Sequence, residues 1–243
     1  EEMTQINEIG IARPLDWARV KKLLAIGIFA SLLHLAGDLL LGWGVENEAL
    51  AGLPRLLSAY SSASDARIFL AALLGLLEMT LEGLCFFGIY RLIAPPSMKL
   101  AHSFRSGVFG YLMFGACGYH VPVCALAFLQ KHGLSEALLE KYALYFLLPA
   151  LALFWVFFLV LEIAQIRAFA SGQTPYPKWC WIFSLPVGMA AALLPSLCGN
   201  LPWANAALCA WIAVGSLWMF GGLLALLPKA KKSGGQPLPS REE

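Results

Sequence analysis

Long apolar blocks alternate with short polar links along the chain. An α-helix rises about 1.5 Å per residue, so about 20 apolar residues cross the hydrocarbon core of a bilayer. Segments of roughly that length run from Leu23–Trp43, Ile68–Ile93, Ser106–Leu129, Ala143–Ile166, Trp181–Cys198 and Ala204–Leu227. The pattern predicts an all-α, polytopic membrane bundle of six transmembrane helices. The fifth segment is the weakest, being short and containing Pro186 and Pro195. Residues 1–22 are expected as an N-terminal segment, 23–228 as the membrane domain and 229–243 as a disordered tail. The stretch from Glu46 to Asp65 is too polar to span, and a short interfacial helix is expected around Leu50–Tyr60.

Composition agrees with this pattern. The chain is 59% hydrophobic and 13% charged, against about 25% charged in an ordinary soluble domain. A net charge of +2, spread over the links, argues against a nucleic-acid partner. The start EEMTQINEIG lacks the basic-then-apolar order of a cleaved signal peptide. The six cysteines include no CxxC pair and fall mostly in apolar segments, where a thiol packs as a small hydrophobe.

Basic residues fix the expected orientation. Arg19, Lys21 and Lys22, then Arg91, Lys99 and Arg105, then Arg167 and Lys178, then Lys229, Lys231 and Lys232 all fall on one side of a six-span arrangement. The opposite links dilute Arg55, Arg67, Lys131 and Lys141 with Glu46, Glu48, Asp65, Glu136 and Glu140. Positive charge marks the cytoplasmic side, so both termini are expected there. Trp43, Trp179, Trp181 and Trp203 lie near span ends as interfacial anchors.

Against this apolar background stand His34, Asp38, Glu78, Glu82 and His120. A charge at mid-bilayer costs about 2.5–3.5 kcal/mol on insertion scales. His34 and Asp38 are four residues apart and share a helix face, as do Glu78 and Glu82. Helical rise puts all five in a band about one turn thick on three consecutive spans. Two histidines and a carboxylate suffice for a divalent metal such as zinc with an open position. On that reading His34, Asp38 and His120 are the ligands, with Glu78 or Glu82 as general base. Metal-free acid/base chemistry by Glu78, Glu82 and His120 is the second option. Proton-coupled transport or ligand binding is the third. A purely structural network is a poor return, since interhelical hydrogen bonds in bilayers are worth about 0.6 kcal/mol each. Near the cytoplasmic end of the fourth span, Glu162 is expected as an interfacial or ion-paired acid beside Arg167, with a guard of a cytoplasmic entrance as the alternative. Asn200 and Asn205 are expected near the outer mouth. Gly107, Gly110, Gly115 and Gly118 stripe the third span and predict close helix packing there.

The run His34-Leu-Ala-Gly37-Asp38-Leu-Leu-Leu-Gly42-Trp43-Gly44 resembles the first-span signature of an uncharacterised family of bacterial multi-span proteins. That resemblance implies a bacterial cytoplasmic-membrane protein and no known activity. The Gly37-Asp38-Leu-Leu segment also looks like that of lysoplasmalogenase-type proteins, whose pattern lacks counterparts of Glu78 and Glu82. The set of buried groups is similar in type to two further families. One is the ceramidase and progestin-receptor-like hydrolases, whose closing HxxxH pair this chain lacks. The other is the emopamil-binding-type sterol isomerases, whose order of groups differs. The function expected from residues and resemblances together is an intramembrane enzyme acting on a lipid or other amphiphile, with hydrolysis, metal-assisted, ahead of isomerisation. A proton-coupled transporter or a small-amphiphile-binding membrane protein is the alternative.

Overall fold

A computed structural model describes residues 15–233 of the chain, and all regular structure among them is helical. Helix α1 spans Trp17–Gly42. A short α2 covers Gly52–Ser61, close to the short helix expected around Leu50–Tyr60. Next come α3, Asp65–Ile93, α4, Met98–Lys131, and α5, Glu136–Ala170. The chain then breaks into a 3-10 turn at Lys178–Ile182, α6 at Leu185–Ala192 and a second 3-10 turn at Leu194–Cys198. It ends in α7, Pro202–Cys209, and α8, Trp211–Ser233. Because α8 runs through Lys229 to Ser233, the tail expected from residue 229 begins no earlier than 234. The rest of that tail and residues 1–14 lie outside the described residues.

Five of these helices are long and apolar enough to cross a membrane: α1, α3, α4, α5 and α8. The fifth expected span, Trp181–Cys198, is instead a chain of short pieces. Pro186 starts α6, and Pro195 lies in the first turn of the closing 3-10 stretch. A proline lacks the N–H a helix needs and its ring collides with the carbonyl four residues back, so two prolines this close divide the segment.

Local signals set the helix ends. Asp16 caps α1 by accepting from the Arg19 N–H at 2.9 Å, and Ser64 caps α3 through the Arg67 N–H at 3.3 Å. The Arg67 guanidinium turns back to the Leu40 carbonyl at 2.7 Å and 3.1 Å, closing the C-terminal end of α1. Asn200 and Asn205 tie the link after α1 to the start of α7: Asn200 accepts from the Glu46 N–H, and Asn205 donates to the Gly44 carbonyl, each at 2.9 Å.

Antiparallel neighbours build the bundle, with small residues at the closest approaches. A Cβ on Gly37 would meet Leu74 and the Ala71 carbonyl, so α1 lies tightly on α3. Gly107 and Gly110 sit against Leu161 and Phe157, and Gly118 against Ala150, so the α4 stripe packs on α5 as expected. Gly27 faces Phe220 of α8 and Gly42 faces Cys209 at the end of α7, so both pack against α1. Around this core, Phe29, Phe69, Met113, Phe146 and Leu194 are all more than half exposed. An apolar surface of that extent suits lipid rather than water.

Candidate functional site

All five mid-span polar groups are buried: Glu78 and Glu82 at 0% exposure, His34 at 3%, Asp38 at 4% and His120 at 7%. They meet between α1, α3 and α4. The close approach at Gly37 brings the His34–Asp38 face of α1 onto the Glu78–Glu82 face of α3.

The two nitrogens of His34 face different partners. Nε2 lies 3.3 Å from Asp38 Oδ2. Nδ1 lies 3.2 Å from Glu78 Oε2 and 3.4 Å from Glu82 Oε2. Short as these last distances are, neither is a hydrogen bond: Nδ1 has no hydrogen-bond partner, nor has either oxygen of Glu78. One donor atom from each of His34, Glu78 and Glu82 lies within 4.8 Å of the others, a grouping that suits a metal ion. Zinc binds nitrogen and oxygen at about 2.1 Å, and the edge of a tetrahedron of that radius is ~3.4 Å. The two separations measured from His34 Nδ1 are compatible with that edge. Charge leads to the same place. Three carboxyls surround a single imidazole in an apolar interior, so protons or a cation must neutralise most of the negative charge.

Asp38 and His120 stand outside this triangle. Asp38 Oδ2 lies 3.3 Å from the far nitrogen of His34, on the side from which a carboxylate can orient an imidazole. His120 Nε2 is 3.0 Å from the Ala71 carbonyl oxygen, so that nitrogen carries the proton and donates. Its Nδ1 faces Asp38 Oδ1 at 4.0 Å, too far for direct contact and suited to a bridging water. The expected ligand set of His34, Asp38 and His120 thus does not converge on one point, and the converging set is His34, Glu78 and Glu82. Glu78 and Glu82, expected as bases, lie in that grouping, and His120 lies outside it.

Two features that place these groups were not read from the sequence. Residues Ala116–His120 form a π turn inside α4, closed by the Val121 N–H on the Ala116 carbonyl. Pro122 explains it: with no N–H and a ring that crowds the Gly118 carbonyl, it widens the preceding turn by one residue. Pro149 stands in the same relation to the π turn Ala143–Leu147 of α5. The second feature is Gly75, where a Cβ would fall within the His120 ring. Only glycine lets the imidazole lie on α3 and reach Ala71. Tyr111 also went unread; its buried hydroxyl donates to Glu82 Oε2 at 3.3 Å.

A cavity of about 90 Å³ adjoins the site, lined by His34, Asp38, Tyr60, Tyr119, His120 and Cys209 among others. At ~30 Å³ per water it has room for a few water molecules next to Asp38 and His120. A separate apolar groove of about 620 Å³ runs along the outer parts of α3 and α4, between Ile68, Phe69 and Ala72 on one wall and Val121, Cys124 and Phe128 on the other. No curated protein and no solved structure matches the chain at a significant level. The chain belongs to a protein family of unknown function, DUF6796, whose model matches residues 3–230.

Proposed function

We propose that the protein is an integral-membrane hydrolase of an amphiphilic, lipid-like substrate. On this reading it crosses the bacterial cytoplasmic membrane six times, with both termini inside and the broken α6 segment completing the fifth crossing. The observation that carries the enzymatic reading is the convergence of His34 Nδ1, Glu78 Oε2 and Glu82 Oε2 without hydrogen bonds among them. One histidine and two carboxylates suit zinc or another divalent transition metal.

A bound ion of this kind would polarise a carbonyl and lower the pKa of water at the site toward neutrality. The protein supplies the rest. Asp38 fixes the His34 ring through Nε2. Tyr111 fixes the Glu82 carboxylate. His120, held by Ala71, keeps a lone pair on Nδ1 next to the cavity. A water between Nδ1 and Asp38 Oδ1 would donate to both acceptors. As its oxygen adds to the substrate's ester carbonyl carbon it would give a proton to His120, which passes it to the leaving alcohol as the carbonyl–alkoxy bond breaks.

The lipid-like substrate is supported by the apolar groove. The π turn that ends at His120 is followed at once by Val121 and then Cys124, which wall that groove. An acyl chain lying there would bring its polar end toward His120. A cavity sized for water alone would leave the bulk of such a molecule in the bilayer.

The test is turnover. Purified protein would be incubated with a total bacterial lipid extract and the products followed by mass spectrometry. Hydrolysis products are expected with wild type, and loss of them with His120→Ala or after chelation, restored by zinc. Absence of product from every lipid class, with folded and metal-loaded protein, would defeat the enzymatic reading.

A further inference from the structure

A further groove, of about 620 Å³, opens between the start of α1 and the end of α3, at the end of the bundle where basic residues gather. Arg19 and Leu23 of α1 face Leu84, Phe87, Tyr90 and Arg91 of α3 across it. The two helices run antiparallel and stay close here, since a Cβ at Gly88 would stand 3.0 Å from the Leu23 side chain and 3.7 Å from the Val20 carbonyl. The larger side chains beside that contact line bound the groove. Phe87 meets Tyr90 and Phe109 of α4 edge-on, at centroid distances of 6.0 Å and 6.2 Å, which fixes its ring as a wall. Leu84 is 50% exposed while Glu82 is fully buried. Two residues turn a helix by about 200°, so the groove and the central site lie on opposite faces of α3.

Charge is stratified along the groove. Leu23 is one turn from Arg19 on α1, and Phe87 and Leu84 are one and two turns from Arg91 on α3. At about 1.5 Å per residue, the lining passes from two guanidinium-bearing positions to apolar wall within ~10 Å. Among the described residues neither arginine forms an ion pair. The carboxylate at the rim, Asp16, is held by its own helix, accepting the Arg19 backbone N–H at 2.9 Å. The rim therefore keeps an excess of positive charge.

A matching occupant carries negative charge at the rim and hydrocarbon below it. A soluble phosphate would leave the apolar wall uncovered, and a neutral lipid would leave two guanidinium groups without counter-charge. Arginine forks suit phosphate oxygens, and basic pockets between membrane helices suit anionic headgroups.

We propose that this groove binds one anionic phospholipid, with its phosphate between Arg19 and Arg91 and an acyl chain along Leu23, Phe87 and Leu84. The lipid bridges α1 and α3, the two helices that bear His34, Asp38, Glu78 and Glu82. Its site is separate from the central cluster and does not depend on a metal there.

The experiment is native mass spectrometry of the full-length protein in detergent, titrated with phosphatidylglycerol and with phosphatidylcholine of the same acyl chains. Each arginine near a headgroup is worth about fivefold in affinity. Wild type is expected to bind the first phosphatidylglycerol about 25-fold more tightly than phosphatidylcholine. Arg19→Gln and Arg91→Gln should each lose about fivefold of that preference, and the double variant all of it. Arg105→Gln, at the same end of the bundle but outside the groove, should keep it. Leu84→Trp fills the apolar wall, leaves both arginines in place and should weaken phosphatidylglycerol binding, which a general attraction of basic surface for anionic lipid would not show. Equal affinity of wild type for the two lipids would overturn the proposal. So would a preference that survives loss of both arginines, or binding unchanged by Leu84→Trp. Displacement of the lipid by inorganic phosphate at equal concentration would overturn the lipid as the ligand.

Discussion

The His120 ring rests on Gly75 of α3, in the space that a Cβ at residue 75 would occupy. This contact fixes the donor nitrogen on the Ala71 carbonyl and leaves Nδ1 toward Asp38 and the cavity. Gly75→Ala forces the ring away from α3. Overpacking of this kind costs about 1–3 kcal/mol, so thermal unfolding in detergent should show a clear loss. Gly221→Ala is the matched control: it has open space around it, and glycine-to-alanine in a helix gains about 0.5–1 kcal/mol. Equal behaviour of the two variants would contradict the described seat of His120.

His34 and His120 should separate in function. His34→Ala removes a ligand and should lose both metal and turnover. His120→Ala should retain metal and lose turnover, because its ring serves the cavity and not the ligand triangle. Metal content measured alongside lipid hydrolysis reads both. Loss of metal in His120→Ala would restore the ligand set expected from the sequence.

Asp38 acts on the site through His34. Removing the partner of a metal-binding histidine typically costs about 10–100-fold in metal affinity. Asp38→Asn should weaken binding by that factor, measured by competition against a chelating dye. Unchanged affinity would mean that the contact at 3.3 Å does not orient the ring.

The broken segment predicts a specific topology. Cysteines placed at Lys178 and at Asn200, in a background freed of native cysteines, should label from opposite faces with a membrane-impermeant thiol reagent. Labelling from the same face would make Trp181–Cys198 a re-entrant element and put the termini on opposite sides.

Much of the site was legible because helices are periodic. The i,i+4 pairs His34–Asp38 and Glu78–Glu82, with a fixed rise per residue, were enough to put five groups at one depth on three neighbouring spans. The roles within the cluster were not legible. Which nitrogen of His34 meets which acid depends on ring rotation and on how closely Gly37 lets α1 approach α3. The direction of His120 depends on the π turn before Pro122 and on the absence of a side chain at Gly75, a residue 45 positions away in the chain. Glu162 is 1% exposed and neither of its carboxylate oxygens has a partner, so the ion pair expected with Arg167 does not form. It was placed too near the surface because its position was counted along its own helix. The segment Lys178–Ser184 folds back against α5 and deepens its burial. The break in the fifth segment was foreshadowed by Pro186 and Pro195, although the length of α6 was not.

The central claim is that His34, Glu78 and Glu82 together hold a divalent metal. It is tested most directly by elemental analysis of protein purified without chelator, comparing wild type with Glu78→Gln, Glu82→Gln and His34→Ala. The account predicts one equivalent of zinc or another divalent transition metal in wild type. It also predicts loss of that metal in all three variants while each remains folded and monodisperse. A well-folded wild type that carries no such metal and takes up none on addition, or variants that retain it in full, would contradict the account.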